Sequence, residues 1–167
     1  MRCFVAAWPD EPTRLALSSA LDDVNQRVEH RRVSRVDELH LTLAFIGDLV
    51  DDVAFDLSEA IKNLRFRPFT WQLDKLGFFK EAGVVWIGSG SETMKPLATL
   101  AGHVRAMLDT RSIAYDQRPL APHVTLLRGV RNFVAQKAIP IRWRIDSVAL
   151  YRSIPARHAS RYARVER

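Results

Sequence analysis

Hydrophobic residues recur with two different periods along this chain, and the changes of period predict its helices and strands. Three segments repeat their apolar residues every three or four positions, which is typical of amphipathic helices. These helices are predicted at 11–31, at 51–65 and in a third segment that Ser91 would cap and that has Pro96 near its start. The other apolar segments predict strands. The predicted strands are 2–7, 33–36, 39–46, 69–73, 76–79, 84–87, 113–115, 123–130, 141–145, 148–151 and 161–165.

The order of these elements predicts an α+β fold. Helices and strands interleave, but only a short turn at 81–83 joins the strands at 76–79 and 84–87, which predicts a hairpin. A hairpin pairs its strands antiparallel, so the pattern favours a largely antiparallel sheet over a doubly wound parallel one. The sequence contains no low-complexity segment or Gly/Ser-rich linker, and we expect residues 1–167 to form a single domain.

Composition excludes several other classes of protein. Hydrophobic residues make up 47% and charged residues 26% of the chain, which is typical of a globular protein. The single cysteine, Cys3, cannot form an internal disulfide. No apolar stretch approaches the roughly 20 residues of a membrane span, and the apolar run at the start is too short for a secretion signal. We therefore expect a cytoplasmic protein that does not enter a membrane.

Positive charge is concentrated in the last third of the chain. The sequence has 25 Lys and Arg against 19 Asp and Glu, a formal net charge of +6. Residues 111–167 hold 12 of the basic residues and only 3 of the acidic ones, whereas residues 1–110 are net acidic. This asymmetry suggests an anionic partner such as nucleic acid or phosphate. A solvated basic surface without a partner is the alternative.

One tetrapeptide pattern, His-x-Thr-Leu, occurs twice in predicted strands. It reads His40-Leu-Thr-Leu43 at its first occurrence and His123-Val-Thr-Leu126 at its second. Because side chains alternate along a strand, each motif presents an imidazole and a hydroxyl on one face and apolar side chains on the other. If the two halves of the chain pack about a pseudo-twofold axis, the two polar pairs would meet across a groove.

Two imidazoles and two hydroxyls at one place suit the cleavage of a phosphoester. One His can deprotonate the nucleophile while the other protonates the leaving oxygen, and the ordinary His pKa of about 6.5 allows both protonation states near neutrality. Hydroxyls can donate hydrogen bonds to the phosphate oxygens. This arrangement requires no metal, and we expect no cofactor. Half-buried polar pairs without chemistry, or a zinc site, are the alternatives, although familiar zinc-ligand spacing is missing.

At these motifs the chain resembles the 2H phosphoesterase superfamily, and within it the RNA 2′,3′-cyclic phosphodiesterases, also called 2′–5′ RNA ligases. Softer likenesses occur at 1–6, 84–88 and 150–153. The resemblance implies a bilobal fold of two pseudo-symmetric lobes, each mostly antiparallel sheet with outer helices, around a central basic cleft. It also implies metal-independent hydrolysis of RNA 2′,3′-cyclic phosphate ends to 2′-phosphate ends, with reversible 2′–5′ ligation. The expected partner is RNA or a nucleotide with a cyclic phosphate end, bound by a monomer.

The resemblance also implies roles for particular residues. We expect His40 to act as the general acid and His123 as the general base, although the similarity of the motifs leaves the reverse assignment open. Thr42, Thr125 and Arg128 would bind phosphate, and Phe45 would stack on the terminal base. Strict alternation places Phe45 and Arg128 on the opposite face from the His of their own motif. Both side chains therefore need a β-bulge or a strand end to reach the groove.

Two other functions remain open from the sequence. The same site would suit a phosphoesterase acting on small nucleotide or ADP-ribose cyclic phosphates, and a non-catalytic RNA-binding module is the third hypothesis. Outside the motifs, His30, His103 and His158 are expected at the surface, and Trp71, Trp86 and Trp143 in the core. The arginines expected to contribute to RNA affinity are Arg142, Arg144, Arg152 and Arg157.

Overall fold

Two antiparallel sheets carry the motifs. The structure, a computed structural model, describes residues 1–90, 95–155 and 161–166. Its helices are α1 (Glu11–Arg27), α2 (Asp51–Lys62) and α3 (Lys95–Thr110), with a short 3₁₀ turn at Val36–Glu38. Its strands are β1 (Arg2–Ala7), β2 (Arg32–Val33), β3 (Leu41–Asp48), β4 (Phe69–Phe79), β5 (Val84–Gly88), β6 (Val124–Arg128), β7 (Gln136–Ile145), β8 (Ala149–Ser153) and β9 (Tyr162–Arg164).

Each motif belongs to a different sheet. The first sheet has the strand order β3-β1-β8-β9 and the second has the order β2-β6-β5-β4-β7. Neighbouring strands are antiparallel in both sheets, which confirms the predicted α+β class. Helices α2 and α3 pack against the first sheet and α1 packs against the second. One cluster of buried apolar residues includes Leu41 from β3 and Leu126 from β6, so the hydrophobic core is shared by both sheets.

The helices begin where the sequence indicates but end earlier. Asp10 caps α1 by accepting a hydrogen bond from the Thr13 N–H at 2.9 Å, and Pro12 lies in the first turn. The helix stops at Arg27, so His30 lies outside it, with Nδ1 2.7 Å from the Val28 carbonyl oxygen. The predicted second helix similarly ends at Lys62 instead of 65. Ser91, the predicted cap of α3, lies outside the described residues.

Several predicted strand boundaries are wrong. The predicted strands at 69–73 and 76–79 are one strand, β4, whose pairing with β7 shifts register between Leu73 and Lys75. That irregularity interrupts the alternation from which the boundary was inferred. Residues 113–115 are a loop, and 33–36 is a two-residue strand followed by the 3₁₀ turn. The motif strands begin at Leu41 and Val124, so His40 and His123 immediately precede their strands.

The core contains two of the three tryptophans that the sequence places there. Trp71 and Trp143 face each other across β4 and β7 with ring centroids 5.8 Å apart, and both are fully buried.

Within the described ranges, no helix is long and apolar enough to cross a membrane.

Candidate active site

Each motif strand carries an extra residue at the same distance from its His, and β3 has a second irregularity farther along, between Phe45 and Gly47. In β3, Thr42 pairs with Ala6 and the next partner, Val5, pairs with Ala44, which leaves Leu43 as the extra residue. In β6, Thr125 pairs with Trp86 and the next partner, Val85, pairs with Leu127, which leaves Leu126 as the extra residue. The extra residue therefore follows the motif His by three residues in both sheets.

These bulges bring the fifth residue after each His onto the polar face. Leu43 and Ala44 are both buried, and the next side chain, Phe45, is 54% exposed. Leu126 and Leu127 are likewise both buried and are followed by exposed Arg128. A bulge reverses the alternation beyond it, so Phe45 shares a face with Thr42 and Arg128 with Thr125. Of the two possibilities that the sequence left open, a bulge or a strand end, the structure shows a bulge in both strands.

The His40 imidazole is held by a main-chain oxygen and surrounded by aromatic rings. Its Nδ1 lies 2.6 Å from the Glu38 carbonyl oxygen, so in the neutral ring Nδ1 carries the hydrogen and Nε2 keeps its lone pair. Trp8 stacks on the ring, with centroids 4.5 Å apart and planes 10° apart. Phe4 and the edge-on ring of Tyr162 lie 5.3 and 5.2 Å away between centroids.

The His123 imidazole has the same main-chain contact but different neighbours. Its Nδ1 lies 2.7 Å from the Ala121 carbonyl oxygen. Phe79 makes an edge contact with the ring at 4.9 Å between centroids, and Trp86 lies at 6.4 Å. Trp86 lies against Gly77, where a Cβ atom would come within 2.0 Å of indole Cζ2. The prediction of a core Trp86 is therefore wrong, because this half-buried ring packs beside a motif His instead.

The pKa values of both imidazoles are lowered, chiefly by burial. The pKa of His40 is lowered to about 4, and burial is the largest cause. The hydrogen bond to the Glu38 carbonyl raises this pKa, whereas the charges of His123 and Arg128 lower it. Burial also lowers the pKa of His123, and Arg128 again contributes to the decrease. Both imidazoles therefore favour the neutral form at pH 7.

A cavity of about 430 Å³ opens beside His40 and Phe45. Its volume is in the range of small-molecule sites. Asp116 forms part of its wall; the Asp116 N–H donates to the Phe45 carbonyl oxygen at 2.8 Å, and its carboxylate pairs with Arg118. The Arg118 hydrogen bonds lower the pKa of Asp116 to about 2. This cavity lies on the side of the site that is formed by β1 and β3 of the first sheet.

Sequence reasoning missed four residues around His40. Trp8 follows β1, Glu38 immediately precedes the motif, and Asp116 and Tyr162 are distant in sequence. Trp8 was the easiest to find, because an aromatic just beyond a strand that neighbours the motif strand can fold over it. Nothing in the local sequence indicates the positions of Asp116 and Tyr162.

The remaining predicted residues lie in several places. Arg142 and Arg144 are exposed on β7, and Arg144 lines a second cavity of about 210 Å³ that Trp8 also lines. Arg152 in β8 is paired with Cys3 in β1, and its guanidinium contacts the Met1 sulfur at 3.7 Å. His103 is exposed in α3, as expected. Arg157 and His158 lie outside the described residues. No group of three or more His, Cys, Asp or Glu that could hold a metal occurs within 1–90, 95–155 and 161–166.

Comparisons with known proteins give a consistent result. Residues 8–86 match the family model described as LigT like Phosphoesterase. The chain is 29% identical to an RNA 2′,3′-cyclic phosphodiesterase of Escherichia coli strain K12, covering 94% of this chain and 96% of that one. It is 30% identical to one of Archaeoglobus fulgidus, covering 79% and 74%. The crystal structure of E. coli LigT complexed with 3′-AMP superimposes with a TM-score of 0.84 at 27% identity, covering 99% of this chain and 95% of that one.

Proposed function

The chain belongs to the LigT-like phosphoesterases of the 2H superfamily, and from that membership we propose that it hydrolyses 2′,3′-cyclic phosphate ends of RNA to 2′-phosphate ends. The observation that carries this proposal is the matched placement of His40 and His123. Each ring is held through Nδ1 by the carbonyl oxygen two residues before it, and the two rings come from different sheets. Two Nε2 atoms directed at one substrate supply an acid and a base without further groups.

The reaction breaks the bond between phosphorus and O3′ and forms a bond between phosphorus and water oxygen. In our proposal His123 Nε2 accepts the proton of the attacking water. Protonated His40 donates its Nε2 proton to O3′ as that oxygen leaves. The product is a 2′-phosphate with a free 3′-hydroxyl, and the two imidazoles have exchanged protonation states. Proton exchange with solvent then restores the starting state.

The phosphate is held by the other motif residues. Thr42 and Thr125 share a face with their motif His and would donate hydrogen bonds to the non-bridging oxygens. The Arg128 guanidinium would offset the developing negative charge, and its effect on both imidazoles supports its placement at the phosphate. Phe45, exposed beside the cavity, would stack on the terminal base.

The lowered pKa values have a role in this scheme. Without substrate, burial keeps both imidazoles mainly neutral at pH 7. A bound phosphate anion favours a protonated imidazole beside it, so the general acid takes up its proton together with the substrate. Arg128 opposes this uptake, and the anion neutralises that opposition when it binds the guanidinium.

One chain carries both motifs, and the proposed site needs no second copy. A 5′-hydroxyl of another RNA end could occupy the place of water, with His123 removing its proton. The oxygen of that end would then bond to phosphorus, and this step would produce a 2′–5′ linkage. Ligation therefore uses the same bonds as hydrolysis and differs only in the nucleophile.

The decisive experiment supplies two substrates in the presence of EDTA. One is an oligoribonucleotide ending in a 2′,3′-cyclic phosphate and the other is a cyclic-phosphate mononucleotide, and the product ends are identified chromatographically against 2′- and 3′-phosphate standards. We expect a 2′-phosphate end on the oligonucleotide. A 3′-phosphate, or no product, would contradict the proposal. Cleavage of the mononucleotide alone would instead favour a phosphoesterase for small nucleotides.

A further inference from the structure

Glu38, two residues before His40, has an unusual environment. It is the only charged residue in the described ranges whose side chain is buried, with 7% of the residue exposed. Burying a carboxylate is costly unless hydrogen bonds and opposite charge compensate. A buried carboxylate next to a motif His therefore indicates a specific contact.

That contact reaches the other end of the chain. Glu38 Oε1 accepts a hydrogen bond from the Arg161 N–H at 3.1 Å, and Arg161 Nε lies 3.9 Å from the same oxygen. The Arg161 carbonyl oxygen accepts a hydrogen bond from the Ile154 N–H at 2.7 Å, which joins β9 to the end of β8. Glu38 thus attaches the turn before β3 to the last strand of the first sheet.

This contact lies beside the His40 ring, which Glu38 touches directly and which Tyr162, the neighbour of Arg161, covers. The main-chain oxygen of Glu38 lies 2.6 Å from Nδ1. Tyr162, the residue after Arg161, lies edge-on to the ring with a centroid distance of 5.2 Å and an interplanar angle of 74°. Glu38 therefore holds one edge of the imidazole through its main chain, and through its side chain it holds Arg161, the residue before one of the covering rings. Tyr162 itself pairs with Ser153 and packs on Phe4.

We propose that Glu38 is a positioning residue for His40: its carboxylate holds Arg161 and so keeps Tyr162 against the imidazole that its own carbonyl orients. The role serves one motif only, because the matching residue before His123 is exposed Ala121, which has no side-chain acceptor. This inference rests on the proposed function, since positioning affects turnover only if His40 acts on the substrate.

The contact has a measurable consequence for His40. The titratable and charged groups near its ring are Glu38, Arg161 and Tyr162 on its own side, Arg2 and Asp116 in the wall of the adjoining cavity, and His123 and Arg128, whose charges contribute to its pKa. Burial is the largest cause of the low pKa of His40. Releasing Tyr162 admits water, which moves the pKa of His40 upward and leaves that of His123 in place.

The test uses Glu38→Ala and Glu38→Gln in the full chain, with Glu166→Ala as the matched control. Gln keeps an oxygen that can accept from the Arg161 N–H, while Glu166 forms an exposed ion pair with Arg164 just after β9. NMR titration of the imidazole protons follows His40 and His123 separately, and kcat and KM are measured on the cyclic-phosphate oligonucleotide. We expect Glu38→Ala to raise the pKa of His40 by about one unit and to lower kcat about tenfold or more, with little change in KM. Glu38→Gln should restore most of both values, and Glu166→Ala should change neither.

An unchanged His40 pKa in Glu38→Ala would overturn the proposal, as would equal shifts of both histidines or a Gln variant as impaired as the Ala variant. If Glu38→Ala does not fold, Glu38→Leu fills similar space without an acceptor, and the same outcomes apply to it. The proposed function has a separate test: full turnover in His40→Ala would contradict it. The NMR result on Glu38 would still stand in that case.

Discussion

His40 and His123 make the same contact from different sheets: Nδ1 of each ring lies 2.6 or 2.7 Å from the main-chain oxygen two residues before it. A carbonyl oxygen only accepts hydrogen bonds, so it fixes the hydrogen of each neutral ring on Nδ1. Each imidazole therefore offers Nε2 to the substrate, as a base when neutral and as an acid when protonated. The contact makes both rings competent for either role, and their different surroundings distinguish them.

Removing either imidazole should abolish most of the activity. We expect His40→Ala and His123→Ala each to lower kcat by about 10²- to 10⁴-fold, the usual contribution of general acid–base catalysis. Steady-state rates on a cyclic-phosphate oligonucleotide measure the effect, and thermal unfolding checks that each variant is folded. Full turnover in either folded variant would contradict the two-histidine mechanism.

A sulfur-bridged substrate should separate the acid from the base. Replacing O3′ of the cyclic phosphate by sulfur gives a leaving group that needs no protonation. We expect this substrate to restore much of the lost rate in His40→Ala and little in His123→Ala, because only the former lacks the proposed acid. Single-turnover rates for both substrates measure the restoration. Restoration in His123→Ala alone would show that the roles are reversed.

The low pKa of His40 should make folding sensitive to mild acid. An unfolded His takes up a proton near pH 6.5, whereas folded His40 remains neutral down to about pH 4. The free energy of unfolding is therefore unaffected by this residue above pH 6.5. It decreases as the pH falls from 6.5 toward 4, because only the unfolded chain takes up the proton. We expect a loss of about 2 kcal/mol in the free energy of unfolding between pH 7 and pH 5, measured by urea denaturation.

His40 should carry a separable share of this loss, to which His123 also contributes because burial lowers its pKa as well. His40→Gln should flatten the pH dependence by about the predicted amount, because the variant has no proton to gain at this position. His103→Gln, at an exposed position in α3, is the control and should keep the wild-type slope. Parallel curves for wild type and His40→Gln would show that His40 is not the source.

Gly77 should be intolerant of a side chain because Trp86 occupies its space. A Cβ at position 77 would lie 2.0 Å from the indole, so Gly77→Ala must displace Trp86, which packs on Phe79 and His123. We expect a stability loss of about 1–3 kcal/mol together with lower kcat. Urea denaturation and steady-state rates measure both. Gly102→Ala in α3, where a Cβ meets nothing within 4 Å, is the control and should be neutral or stabilising.

Basic residues on β7 should contribute to RNA affinity. Arg142 and Arg144 project from one face of this strand, and Arg144 lines the small cavity with Trp8, which stacks on His40. We expect Arg142→Gln with Arg144→Gln to weaken oligonucleotide binding and to reduce the slope of log affinity against log salt by about 1.4, with kcat little changed. Fluorescence anisotropy at several salt concentrations measures the slope.

Arg152 is the comparison for this prediction. It is also exposed and basic, but it lies on the face of β8 opposite Tyr151, whose ring packs on Trp8 and Phe4. Nothing in the sequence pattern distinguishes it from Arg142 and Arg144. Because of this position we expect Arg152→Gln to weaken oligonucleotide binding less than Arg142→Gln or Arg144→Gln made singly. Equal effects from all three would indicate attraction by net charge only.

The local patterns of the sequence predicted much of the fold and the identity of the motif residues. Alternation around Thr42 and Thr125 identified the polar face, and helical spacing located α1, α2 and α3 within a few residues. The five-residue offset of Phe45 and Arg128 also predicted a bulge or a strand end in each motif strand, although it could not decide between them. These features depend on neighbours in the chain, which is why they could be inferred from the sequence.

The features that escaped prediction depend on distant neighbours. Glu38 looks like an ordinary surface acid until Arg161 is brought beside it. Trp86 has the same alternating context as Trp71, and only the packing against Gly77 distinguishes the two rings. The roles of the motif residues remain predictions, because the comparisons concern the family and fold of the chain and not its individual side chains.

The extra leucines in the motif strands affect any attempt to transplant the site. The useful side chains follow each His at the second and fifth positions, a spacing that no regular strand presents on one face. Copying the His, Thr and Arg of β6 onto a regular strand of another protein would turn the guanidinium into that protein's core. A working graft must also carry the additional residue and a partner strand whose pairing accepts it.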